Sequence, residues 1–92
     1  MNQERAETIA LQALAFVAGD ERALTGLLRL TGMDLSDLRR AASDPEMLAG
    51  VLDFLLQDES ALLAFCEAAG IAPEEPAGAR ARLPGGDLPH YT

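Results

Sequence analysis

Apolar residues recur along this chain with the period of an amphipathic helix, and almost every break carries a helix-starting or helix-ending residue. From Gln3 to Ala18, the residues Ile9, Ala10, Ala13, Leu14, Phe16 and Val17 share one broad face, while Glu4, Thr8 and Gln12 mark the other. Asn2 stands in the capping position. Gly19 is expected to end this helix in a left-handed conformation, and Asp20 to accept the orphan amide protons of the next. The second helix, Glu21 to Thr31, gathers Leu24, Leu27, Leu28 and Thr31 opposite Arg22, Thr25 and Arg29, and Gly32 stops it. Asp34 then caps a short third helix, 35–42, with Leu35, Leu38 and Ala42 inward and Arg39 and Arg40 toward water.

The sharpest boundary is Ser43-Asp44-Pro45-Glu46, which sets a cap, a proline at the first helical position and an acid against the positive helix end. The fourth helix, Pro45 to Gln57, is the apolar centre. Met47, Leu48, Val51, Leu52, Phe54, Leu55 and Leu56 fill an arc of about 200° on the ideal wheel, leaving Ala49, Gly50, Asp53 and Gln57 for a wetter side. Such a helix has to be covered on most sides, by its own neighbours or by a second copy. Asp58 opens the fifth helix, Glu59 to Ala69, with an inner stripe of Leu62, Leu63, Phe65, Cys66 and Ala69 and a stop at Gly70. Pro73, Pro76 and Pro84 flank a short sixth helix around 77–83. The remainder, 85–92, contains Gly85, Gly86 and Pro89 and too few apolar groups to fold alone, and reads as a flexible tail.

Strict apolar/polar alternation is missing and β-branched residues are scarce, so no strand is predicted. The fold class is all-α: a compact orthogonal bundle of five short helices, with room for the sixth, since connections of a few residues favour antiparallel or steeply crossed neighbours. At 92 residues and 9.7 kDa the chain holds one domain, 1–84, followed by the tail.

Fifteen acids oppose seven bases, all of them Arg, for a net charge of -8. That sign repels phosphate, which disfavours both nucleic acid and anionic membrane surfaces as partners. The opening MNQERAE lacks the basic-then-apolar order of an export signal, and no apolar run is long enough to span a membrane. A cytoplasmic location is the expectation. Cys66 is the only cysteine, so the fold has no internal disulfide to lean on.

Few residue types suit catalysis. Cys66 lies on an apolar stripe, where a thiol is buried and inert, and His90 lies in the tail with nothing to hold it beside a nucleophile. One His and one Cys give no zinc-ligand spacing. Asp20, Asp34, Asp44 and Asp58 read as helix caps, and Asp53 and Glu67 as wetted helix faces. The phosphate-loop sequence is absent, and Leu83-Pro84-Gly85-Gly86-Asp87 reads as a turn. No catalytic, cofactor-binding or metal-binding residue is assigned, and an enzyme is not expected.

One motif matches a known binding element in part. LLRLTGMDLSDLRRA sets Gly32 at a turn between two short helices, with Leu27, Met33, Leu38 and Ala41 at core positions of a helix-turn-helix. Leu28 stands where that motif usually has a small residue, and Asp34 and Asp37 lead the helix that would meet the DNA.

The segments AETIALQALAFVAGD, LLRLTGMDLSDLRRAASDPEMLAGVLDFLLQDE and LLAFCEAAGIAPE, in that order, resemble a small uncharacterised bacterial domain family of unknown function, found mainly in alphaproteobacteria. The resemblance covers residues 6–84. It implies an all-helical fold of this length and transfers no activity, cofactor or site residue. The functional expectation is a protein-interaction or adaptor domain, self-associating through the apolar arc of the fourth helix to form a homodimer. The alternative is a transcriptional regulator using the 27–42 element, which requires Arg22, Arg29, Arg39 and Arg40 to form one positive face clear of Asp34 and Asp37.

Overall fold

The computed structural model describes residues 1–84, in which six helices follow one another: α1 (Gln3–Ala18), α2 (Glu21–Thr31), α3 (Leu35–Ala41), α4 (Pro45–Gln57), α5 (Glu59–Ala69) and α6 (Glu75–Ala81). The tail proposed for 85–92 lies outside the described residues.

The starts of the first five helices follow the side-chain chemistry read from the sequence. Asn2 accepts the Arg5 amide at 2.7 Å, Asp20 the Ala23 amide at 3.0 Å, Asp44 the Glu46 amide at 3.0 Å and Asp58 the Ala61 amide at 3.1 Å. Each bond satisfies a first-turn N–H that has no partner within its own helix. At Asp34 the bond is reciprocated: Asp34 accepts the Asp37 amide at 2.9 Å and Asp37 accepts the Asp34 amide at 3.0 Å. Gly32 and Gly70 close α2 and α5 at φ 74° and 70°. Gly19 departs from expectation. Its φ of -93° is right-handed, its amide bonds back to the Ala15 and Phe16 carbonyls, and the helix ends because Asp20 turns extended to cap α2.

Every other helix packs against α4. Leu48, Val51, Leu52, Phe54 and Leu55 are buried there, so the wide apolar arc is covered by the chain's own neighbours. Two positions differ from the wheel. Ala49, assigned to the wetter side, is buried, and Leu56, assigned to the arc, is 37% exposed. A wheel gives relative directions along one helix, and the neighbours decide which of them are covered.

The inner stripes of α3 and α5 shift for the same reason. On α3 the buried residue is Ala41, with Leu38 half-buried, while Leu35 is 58% exposed and Ala42 is exposed. A seven-residue helix lays barely two turns against α4, and Leu35 opens the first. On α5, Phe65 and Cys66 are buried, whereas Leu63 is 47% exposed. On α2, Leu27 and Ala23 are buried and Thr31 is exposed, its hydroxyl donating to the Leu27 carbonyl at 2.7 Å.

The sixth helix begins two residues earlier than expected because Pro76 sits within its first turn, where a fixed φ and a missing N–H cost nothing, rather than in front of it. Pro76 and Ala79 are buried against α1 and α4. Ala6, Ala10 and Ala13 of α1 are also buried, and α1 packs closely against both α4 and α6. One cluster of apolar side chains therefore runs through the molecule from α1 to Leu83. The radius of gyration is 12.1 Å and the extents are 31 × 26 × 25 Å, the near-equal dimensions of short helices gathered round a central one.

Candidate functional site

Of the carboxylates singled out in the sequence, Glu67 is exposed, as expected of a wetted helix face, and the others are engaged in structural bonds. Asp20, Asp34, Asp44 and Asp58 are all caps. Hydrogen bonds from the Ser36 hydroxyl, at 2.7 Å, and from the Asp37 amide hold the Asp34 carboxyl below its ordinary pKa. Asp53, read as a wetted face, carries an ion pair instead: Arg80 Nε lies 2.7 Å from its Oδ1. Cys66 is buried, with Sγ 3.8 Å from the Ala72 carbonyl, and burial pushes its thiol pKa up, aided by the charges of Glu75 and Glu74. A raised pKa leaves it a poor nucleophile at neutral pH. His90 lies outside the described residues. Among the described residues, no three His, Cys, Asp or Glu side chains gather as metal ligands. No helix of the described residues is long and apolar enough to cross a membrane.

The geometry around Gly32 departs from a helix-turn-helix. There the two helices pack on each other as a unit, whereas α3 lies against α4 and shares little surface with α2. Arg40 Nη2 binds Asp37 Oδ1 within α3, so one of the four arginines is neutralised by an acid at the leading end of its own helix. Arg40 is therefore not clear of Asp37, which the DNA-binding alternative requires it to be.

An open hollow with an apolar floor lies on another side of α2. Gly26, Arg29 and Leu30 of α2, Phe54 and Gln57 of α4, and Asp58 between α4 and α5 surround about 390 Å³ of space. Leu30 is 49% exposed at its edge, and the Phe54 ring, though only 5% exposed, forms part of the lining. The Phe54 ring packs directly on the bare backbone of residue 26, where a Cβ would stand 2.9 Å from Phe54 Cε1. Arg29 makes no ion pair among the described residues. Asp58, held by its capping bond to Ala61, also borders a smaller hollow with Asp20 and Arg22.

Neither Gly26 nor Leu30 was singled out by the helical pattern. A glycine inside a helix costs about 1 kcal/mol against alanine and marks a position with a packing reason, which is the signal that points to Gly26. Leu30 carries no such mark, because its exposure depends on where α4 ends.

Residues 3–86 match the family described as protein of unknown function (DUF3572). The chain belongs to this family. The match spans all six helices, and with them the whole hollow. No curated protein and no solved structure matches the chain.

Proposed function

We propose that this domain is a cytoplasmic protein-interaction module and that the hollow between α2 and α4 is its contact surface. The observation that carries this reading is the exposed Leu30 beside an apolar floor of Gly26 and Phe54, rimmed by Arg29, Gln57 and Asp58. An apolar centre within a polar rim is the anatomy of a protein contact. Caps and ion pairs engage the carboxylates Asp34, Asp44 and Asp53, which supports binding over catalysis. The hollow is preferred to the apolar arc of α4 because that arc, apart from Leu56, is mostly covered within the chain.

The test is capture of partners from the native cell by the wild-type chain, by Leu30→Glu and by Leu63→Glu. Leu63 is exposed to a similar degree on α5, away from the hollow lining. Proteins retained by the wild type and Leu63→Glu but lost with Leu30→Glu support the reading. An identical set with all three chains refutes it.

A further inference from the structure

We infer that α3 is a strap that lifts off α4 as a unit while the other five helices stay packed. The two shortest helices, α3 and α6, are held in contrasting ways, and neither borders the hollow between α2 and α4. Both are seven residues long, too short to be stable by their own backbone bonds. Each stays in place by what ties it to the rest of the molecule.

The sixth helix is tied in several ways. Ala79, with Leu83 just beyond, belongs to the contiguous apolar core, and Pro76 is fully buried. Glu75 pairs with Arg5 of α1, and Arg80 with Asp53 of α4. The third helix has no such ties. Ala41, its one buried residue, lies outside the contiguous core, Leu38 is half-buried against that core, and Leu35 is exposed. Its polar bonds close on its own segment: Asp34 with Asp37 and Ser36, Asp37 with Arg40, and Ser43 with the Arg40 carbonyl. Among the described residues, no ion pair or side-chain hydrogen bond joins α3 to another helix. Lifting it breaks no such bond and exposes little apolar surface, so it opens at a lower cost than global unfolding.

Both ends of the strap permit the motion. Gly32 precedes it at φ 74°, with open space where a Cβ would stand, and the turn at Ala42 and Ser43 follows it. The contacts that close it are apolar: Met33 and Leu38 pack against the core, and Ala41 is covered. The Met33 methyl lies over the bare backbone of Gly50, 3.8 Å from where a Cβ of residue 50 would stand. Opening uncovers this side of α4, so the domain has two states that differ at one face of its central helix.

Hydrogen exchange of the full chain in rising urea, followed by NMR where rates report opening equilibria, is the test. The amides of residues 38–41 should share one protection factor, about tenfold or more below that of the α6 amides. Their exchange should depend only weakly on urea, because little surface is exposed, whereas α1 and α4 amides should show the steep dependence of global unfolding. Met33→Ala should speed α3 exchange about fivefold, since the closed strap loses its contact over Gly50. Ile9→Val trims the core of α1, which stays packed whether the strap is open or closed. It should speed α1 and α4 exchange about threefold to tenfold and leave α3 exchange unchanged. Protection and urea dependence of α3 equal to those of α6 and α4 overturn the inference. So does protection graded residue by residue along α3, a Met33→Ala chain with α3 exchange like the wild type, or an Ile9→Val chain in which α3 and α4 speed up alike.

Discussion

Arg80 on α6 donates from Nε to Asp53 Oδ1 on α4 at 2.7 Å, and from Nη1 to the Pro84 carbonyl at 3.0 Å. One guanidinium thus joins the last helix, the central helix and the last described residue. The arginine side chain is 20% exposed and the aspartate 44%, so solvent screens the pair and its share of stability is about 1 kcal/mol or less. Arg80→Met should lower the urea midpoint modestly, Asp53→Asn should do the same, and the double variant should lose less than the sum. Additive losses would mean the two residues act independently.

Gly26 and Phe54 set a steric limit on α2. Alanine at 26 gains about 1 kcal/mol of helix propensity, but its Cβ forces the Phe54 ring aside, and overpacking of that kind costs about 1–3 kcal/mol. Gly26→Ala should therefore be destabilised by about 1 kcal/mol in equilibrium unfolding. A more stable variant would show that the ring moves freely into the hollow.

Leu52 and Leu63 test which leucines hold the core. Leu52 is fully buried on α4, and its truncation to alanine should cost about 2–5 kcal/mol, a large fraction of what a domain this small possesses. Leu63→Ala, on an exposed position, should change stability by about 0.5 kcal/mol at most. Equal losses would restore Leu63 to the inner stripe where the helical period put it.

Glu75 links acid stability to the α5–α6 turn. The Ala72 amide, 3.0 Å from its Oε2, and then Arg5, 3.0 Å from its Oε1, hold its carboxyl below the ordinary glutamate pKa. A depressed folded pKa means the contribution is complete above the unfolded value, about 4.3, and disappears as pH falls through the lower folded one. The stability gap between the wild type and Glu75→Gln should accordingly be widest near neutral pH and close in acid. A gap that does not change with pH would leave Glu75 without a charge-dependent role.

Helix existence was legible because its determinants lie within a few residues of each other. Asn2, Asp20, Asp34, Asp44 and Asp58 bond amides two or three positions on, and Gly32 and Gly70 take their backbone conformation from their own lack of a Cβ. The candidate site was not legible. It is assembled from residues 26–30 and 54–58, whose meeting depends on how α2 crosses α4, and nothing local to either segment encodes that crossing.

By itself the sequence determined an all-helical chain, the positions of its caps and stops, and a fourth helix too apolar to stand alone, since each follows from local bonding and from the period of the side chains. Only the tertiary structure decided which leucines of that pattern were covered, that Asp53 found Arg80, and that Gly26 and Phe54 left a hollow beside Leu30. Those outcomes depend on the placement of whole helices against one another, which is settled by the combined packing of the molecule.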